Sequence, residues 1–116
     1  MNPKILIIDD QKEIALVMQE FLDDQGYKTA VAMNGHDAIA KCRKEKFDLL
    51  LTDIMLPDID GRVVVEKCLA ILPGLKILFV TGYSKNLELK IGPRLQLIKK
   101  PCKPSAILAK IEEILR

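Results

Sequence analysis

The chain has few of the residues that build metal clusters and disulfide frameworks. It contains one histidine and three cysteines, Cys42, Cys68 and Cys102, and no CxxC pair occurs. An odd number of widely spaced cysteines argues against a zinc site or a disulfide framework. Free thiols are typical of a reducing compartment, so we expect a cytoplasmic protein.

Long apolar runs and an excess of one charge are also lacking. The apolar stretch after Lys4 ends after four residues at two acids, which is too short for a signal peptide, and no segment reaches membrane-spanning length. The 18 basic and 16 acidic residues give a formal charge of +2. This balance gives no reason to expect nucleic acid or a membrane surface as a partner.

The chain is long enough for one domain with a hydrophobic core, and we expect residues 1–116 to form that single domain. Apolar, strand-like segments alternate along it with amphipathic, helix-like segments. The predicted strands lie at about 4–8, 28–33, 48–53, 77–80 and 95–98. This alternation predicts a doubly wound α/β fold, in which a parallel sheet carries helices on both faces.

Apolar periodicity and capping residues define the predicted helices. The first helix is expected to end at Gly26 and to bury the face formed by Ile14, Val17, Met18, Phe21 and Leu22. Asn34 is expected to cap the second helix. The fourth helix can extend only over about residues 84–91, because Gly92 and Pro93 end any helix there. We therefore predict a shortened fourth helix of roughly two turns.

Polar residues follow four of the predicted strands. They are Asp9 and Asp10 after the first strand, Asp53 after the third, Thr81 after the fourth, and Lys99 and Lys100 after the fifth. The carboxyl ends of parallel strands share the edge where open α/β sheets carry their chemistry. Three carboxylates at one place repel each other unless a cation shares the site. The sequence therefore predicts a functional site at this edge.

The residue types at this edge suit phosphoryl chemistry. Oxygen ligands without histidine or cysteine are typical of Mg²⁺, which keeps several waters and accepts phosphate oxygens. A lysine can neutralise phosphoryl charge, and a threonine hydroxyl can hydrogen-bond a phosphoryl oxygen. A carboxylate beside the metal, such as Asp53, can act as a nucleophile toward phosphorus and form an aspartyl phosphate.

Four short motifs occur in order at these strand ends. They are Ile7-Ile8-Asp9-Asp10, the segment 53–61, Thr81-Gly82 and Lys100-Pro101. Each motif is weak alone, but together they make the chain resemble the response-regulator receiver domains of two-component signalling over nearly its whole length. The resemblance implies a flavodoxin-like fold with a five-stranded sheet in the order 2-1-3-4-5.

The resemblance also implies a phosphoacceptor and a metal site. Asp53 would accept a phosphoryl group from the phosphohistidine of a histidine kinase or a phosphotransfer protein. Asp9 or Asp10, together with Asp53 and the main-chain carbonyl of Met55, would bind Mg²⁺. The domain would then be a signalling switch that controls a partner protein or an attached domain, and not an enzyme acting on other substrates.

Two further residues receive roles from the resemblance. Thr81 would move toward the phosphoryl group and report its presence. Lys100 would contact the phosphate, and the Lys100–Pro101 peptide would be cis, a form found essentially only before proline. Lys100 is preferred to Lys99 because it directly precedes the proline.

Two features depart from the pattern of the family. Leu97 stands where receiver domains often carry an aromatic residue, three positions before the lysine, so an aromatic switch coupled to Thr81 is not expected. The short fourth helix reduces a face that often mediates dimerisation in the family. We therefore expect a monomer or a weak dimer that signals through another face or an attached neighbour.

Other functions remain open at this stage. The chain could be an interaction module that has kept the fold without accepting phosphate. A phosphatase with an aspartyl-phosphate intermediate is disfavoured, because it typically needs a second carboxylate where this chain has Met55. Asp58 and Asp60 are interpreted as loop and helix-cap residues. His36, in the first turn of the second helix, is expected to be exposed and without a function.

Overall fold

The computed structural model describes residues 2–82 and 94–116, and these contain five strands and four helices. The strands are β1 (Lys4–Ile8), β2 (Lys28–Ala32), β3 (Leu49–Thr52), β4 (Lys76–Thr81) and β5 (Leu95–Lys99). The helices are α1 (Lys12–Asp24), α2 (Gly35–Lys44), α3 (Gly61–Ile71) and α4 (Pro104–Leu115). The short helix predicted at 84–91 lies outside the described residues. Within those residues no helix is long and apolar enough to span a bilayer.

The strands form one parallel sheet in the order β2-β1-β3-β4-β5, which confirms the predicted fold. The more polar β2 lies at an edge. In the centre, β1 and β3 are neighbours, and Ile8 lies opposite Thr52. The next residues, Asp9 and Asp53, therefore leave two adjacent strands at the same edge of the sheet.

The sheet is buried on both faces by two apolar layers. Leu6, Ile8 and Leu50 belong to the layer that includes residues of α2 and α3. Ile5 and Leu49 belong to the opposite layer, which includes residues of α1 and α4. Successive side chains of a strand point to opposite faces, so the continuous apolar runs of the central strands supply both layers.

Helix α1 uses a narrower face than its periodicity predicts. Ala15 and Leu22 are buried, and Met18 packs partly buried against the same layer. Ile14 and Val17, however, are 49% and 62% exposed, so the prediction that they are buried is wrong. The apolar face of α1 is wider than the area that packs against the sheet. Ile14 and Val17 lie on the part of this face that the sheet does not cover.

The N-termini of α2 and α3 are capped as expected. The Asn34 side chain accepts a hydrogen bond from the Asp37 N–H at 2.8 Å. The Asp60 side chain accepts one from the Arg62 N–H at 2.8 Å. Each cap satisfies a backbone donor that has no partner within the helix itself.

Candidate functional site

Asp53 lies directly after β3, and its two carboxylate oxygens have different partners. Lys100 Nζ donates to Oδ2 at 3.1 Å. The Met55 N–H donates to Oδ1 at 3.0 Å. The Asp53 side chain is 21% exposed, so it is shielded on most sides and still open to a reactant. The site therefore holds one oriented carboxylate beside one ammonium group.

The lysine reaches Asp53 from the turn that follows β5. The Lys100 N–H donates to the Thr81 carbonyl at 2.9 Å, and the Lys100–Pro101 peptide is cis, as predicted. Lys99 ends β5 opposite Thr81 and is exposed. The distances thus distinguish the two lysines, and Lys100 is the one that contacts Asp53.

The first acidic pair lies next to Asp53 at the same edge. Asp9 is half-buried, and its Oδ1 accepts a hydrogen bond from the Gln11 N–H at 2.9 Å. Asp9, Asp53 and Lys100 line one cavity of about 640 Å³. Asp10, the next residue, is exposed. Strand register therefore brings Asp9 and Asp53 to the same cavity, whereas Asp10 is not among the residues that line it.

The oxygens at this edge are of the type that magnesium prefers. In residues 2–82 and 94–116, no three side chains of His, Cys, Asp or Glu form a group that could hold a metal ion. The predicted ligand set includes a main-chain carbonyl, that of Met55, beside the carboxylates of Asp9, Asp10 and Asp53. Carboxylate and carbonyl oxygens suit Mg²⁺, so the donors present fit this ion.

Thr81 is the last residue of β4 and is fully buried. Its main chain is tied to Lys100 by the hydrogen bond described above. Two residues earlier on β4, Phe79 lies opposite Leu97 of β5. Leu97 is half-buried and packs against the α2–α3 layer. Thr81 and Lys100 are therefore adjacent through the main chain, while Leu97 contributes an aliphatic contact to the core.

The two ends of the loop between Asp53 and α3 lie close together where Gly61 meets Asp53 and Ile54, and we call this close approach the neck of the loop. The Gly61 N–H donates to the Ile54 carbonyl at 2.6 Å. A Cβ atom at position 61 would overlap the Asp53 main-chain carbonyl and would lie 2.9 Å from Ile54 Cα. The side chain of Met55 is 64% exposed on this loop. Only glycine allows the chain to return this closely to the main chain of Asp53 and Ile54.

Asp58, on the same loop, contacts the start of α2. Its carboxylate accepts hydrogen bonds from the Gly35 N–H at 2.8 Å and the His36 N–H at 2.9 Å, and Oδ2 lies 2.5 Å from His36 Nδ1. Burial raises the pKa of Asp58, but the hydrogen bonds from His36, Gly35 and Ile59 together hold it far below its usual range.

His36 is exposed, as expected, and its ring contacts Asp58. The two residues are 22 positions apart, and nothing in their local patterns predicts the pairing. The contact between the Asp58 carboxylate and α2, beside the candidate site, is the feature that the sequence does not predict. A carboxylate in a loop after a buried strand is too common to indicate a contact with a distant helix.

The lowered pKa of Asp58 predicts a pH-dependent contribution to stability. A carboxyl group whose pKa is lowered by folding stabilises the folded state fully above its unfolded-state pKa, which is about 3.9 for Asp. This stabilisation is lost as the pH falls from that value toward the lower folded-state pKa. Wild type is expected to be more stable than Asp58→Asn at pH 7, by a margin that shrinks below about pH 4. Denaturant titrations of both proteins from pH 7 to pH 3 measure this. A margin independent of pH would contradict it.

Comparisons with known proteins agree with this geometry. The sequence profile of the family described as "Response regulator receiver domain" matches residues 5–112. The alkaline phosphatase synthesis transcriptional regulatory protein PhoP of Bacillus subtilis (strain 168) is 33% identical over 119 residues, which cover 100% of this chain and 50% of PhoP. The chain thus spans about half the length of this relative.

Two solved structures have the same fold. The crystal structure of a CheY-like response regulator receiver domain protein from Methanospirillum hungatei JF-1 has a TM-score of 0.88 and 34% identity, covering 99% of this chain and 94% of that one. A response regulator protein from Burkholderia pseudomallei, crystallised with a phosphorylated aspartic acid, a calcium ion and citrate, has a TM-score of 0.81 and 27% identity. The match covers 94% of this chain and 66% of that one.

Proposed function

The chain belongs to the response regulator receiver domain family, and from this we propose that it is a signalling switch whose phosphoacceptor is Asp53. The phosphoryl donor would be the phosphohistidine of a histidine kinase or a phosphotransfer protein. One observation carries the proposal: the Asp53 carboxylate is oriented by Met55 and paired with Lys100 at the open edge of the sheet. This is what a nucleophile toward an anionic phosphoryl group requires.

In the proposed reaction, an Asp53 oxygen attacks phosphorus while the phosphorus–nitrogen bond to the donor histidine breaks. The electron pair of that bond stays on the imidazole nitrogen, and the product is an acyl phosphate on Asp53. Lys100 neutralises charge on the transferred group, and the hydrogen bond from Met55 keeps the carboxylate in position. Such transfers depend on positioning and charge neutralisation more than on covalent chemistry.

Magnesium is the proposed cofactor. Asp9, Asp10, Asp53 and the Met55 carbonyl would hold it, and when bound it would neutralise charge on the phosphoryl oxygens. The Burkholderia regulator was crystallised with both a phosphorylated aspartic acid and a calcium ion, which is in keeping with a divalent cation accompanying the phosphoryl group.

Thr81 is the proposed sensor of the phosphoryl group. Its hydroxyl would hydrogen-bond a phosphoryl oxygen and so favour one of two arrangements of the main chain at Thr81. The Thr81 carbonyl already accepts from the Lys100 N–H, so a shift of either residue would reach the other. Output would follow from this change, through a partner protein or an attached domain.

The setting of the domain is proposed on the same basis. Residues 1–116 would form one receiver domain that acts in the cytoplasm, where its three free cysteines stay reduced. PhoP is about twice as long as this chain, so the output could pass either through a separate partner protein or through an attached domain. A monomer or a weak dimer, without nucleic acid bound by this domain, remains our expectation.

Phosphorylation by a small donor tests the proposal. Wild-type protein incubated with acetyl phosphate and Mg²⁺ is expected to gain the mass of one phosphoryl group, and EDTA should prevent the gain. A folded protein that gains no mass, either with acetyl phosphate or with histidine kinases, would instead be an interaction module that does not depend on phosphate.

The exposed apolar residues of α1 are proposed to contact the phosphodonor protein. Ile14 and Val17 line the same cavity as Asp53, so a protein that brings its histidine to Asp53 must cover them. A minority of interface residues, clustered near the centre, cost more than about 1 kcal/mol each when truncated, and the position of Ile14 and Val17 beside Asp53 places them there. We expect Ile14→Ser and Val17→Ser together to slow transfer from a kinase about tenfold or more.

The control for this prediction is Leu16→Ser. Leu16 is on the same helix and 47% exposed, but it is not among the residues that line the cavity. Radiolabel transfer from a kinase that phosphorylates the wild type should be slow only in the double variant, while acetyl phosphate should label all three proteins equally. Equal kinase rates would show that the donor docks elsewhere.

A further inference from the structure

The loop between Asp53 and α3 is fastened to α2 through Asp58. Its carboxylate accepts from the first two backbone N–H groups of α2, those of Gly35 and His36. Asn34 satisfies the third, that of Asp37. These donors have no partner within a helix, and the partial positive charge of a helix N-terminus favours a carboxylate. One side chain of the loop therefore completes the cap of a helix 22 or more residues away.

Helix α2 is a firm anchor for this contact. Ala38, Ile39 and Cys42 bury its inner face in the core. At Gly35, a Cβ atom would come within 2.5 Å of Ile59 Cγ1, so the start of α2 lies in close contact with the loop. An anchor packed this tightly can hold the loop in place.

Met55 is the residue whose position depends on this anchor. Its side chain is 64% exposed, so Met55 adds little packing of its own to hold the main chain at this point. On one side, the Met55 N–H is held by Asp53 Oδ1. On the other side, three residues along the chain, Asp58 is held by α2. The Met55 carbonyl lies between these two attachments, one of which lies outside the phosphorylation site.

We infer that Asp58 is a positioning residue that holds the Met55 main-chain carbonyl in place for Mg²⁺. This inference rests on the proposed function, because it takes Met55 as a ligand. Asp58 itself acts at a distance, through the loop. Removing a group that orients a metal ligand typically weakens metal binding about tenfold or more.

The test is a titration of folded proteins with MgCl₂, followed by the amide NMR signals of Asp53 and Met55. Asp58→Ala is expected to raise the Kd for Mg²⁺ about tenfold. Asp58→Asn keeps an oxygen that accepts from α2, so its Kd should lie closer to that of the wild type. Both variants remove the same charge, so this difference separates the hydrogen bonds from long-range electrostatics.

Asn34→Ala is the matched structural control. It removes a neighbouring cap of α2 without touching the loop, so it should lower the melting temperature while leaving the Kd for Mg²⁺ unchanged. The inference is overturned if Asp58→Ala binds Mg²⁺ like the wild type, if Asn34→Ala weakens binding equally, or if the two Asp58 variants agree. A wild type that binds no Mg²⁺ would contradict the proposed function instead.

Discussion

Replacement of Asp53 with Asn is expected to abolish phosphorylation by acetyl phosphate and by any kinase that phosphorylates the wild type. Asn has nearly the same shape, but its neutral amide oxygen is a poor nucleophile and the ion pair with Lys100 is lost. That pair is partly exposed, so its loss should cost about 0–1 kcal/mol of folding stability. The protein should therefore stay folded while intact-protein mass shows no phosphoryl addition.

The control for Asp53 is Asp60→Asn in the same loop. Asp60 is seven residues from Asp53 in the sequence, and its carboxylate has a structural role because it caps α3 and pairs with Arg62. This variant should still gain one phosphoryl group in the presence of Mg²⁺. Phosphorylation of Asp53→Asn at a rate like that of the wild type would mean that another residue is the acceptor.

Replacement of Gly61 with Ala is expected to have the second-largest effect. The new Cβ would overlap the Asp53 carbonyl and would crowd Ile54 Cα, and both obstacles are backbone atoms that cannot rotate away. The neck of the loop must open, which strains the hydrogen bond from Gly61 to Ile54. Overpacking of this kind typically costs about 1–3 kcal/mol. Because Asp53 must shift, phosphorylation should slow about tenfold or more, in line with the cost of a small misplacement of reacting groups.

Gly74→Ala is the matched control for this substitution. Apart from residues 73–75 themselves, no atom lies within 4 Å of the position that a Cβ would take there. Its stability should change by less than about 0.5 kcal/mol, as for most surface substitutions, and its phosphorylation rate should match the wild type. Thermal unfolding and timed mass spectra compare the two variants. Equal behaviour of Gly61→Ala and Gly74→Ala would mean that the neck adapts without cost.

The parallel sheet and the Asp53–Lys100 contact could be predicted from the sequence for a physical reason. Buried parallel strands appear as continuous apolar runs, and the residues that follow them must meet at one edge. The strand order needed more than periodicity, and it came from the resemblance to receiver domains. Asp9 joins Asp53 because β1 and β3 are neighbours in that order.

Two features could not be predicted because they depend on three-dimensional packing. The apolar spacing of α1 is the same whether a side chain faces the sheet or lies beside it, so the spacing predicts burial for Ile14 and Val17 although both are exposed. The contact between Asp58 and His36 joins a loop to the first turn of α2 and has no local signal. The prediction of a short helix at 84–91 stays a prediction.

The exposure of Ile14 and Val17 has a consequence for how such a domain can evolve. Residues that support the fold, such as Ala15 and Leu22, are on the same helix but point into the core. Substitutions at exposed positions usually change stability little, so the proposed donor-facing residues could vary while the fold stays intact. The residues that discriminate between partners could then change without changing the residues that stabilise the fold. After gene duplication, two copies could acquire different kinases through a few changes on α1 and keep the same phosphorylation chemistry.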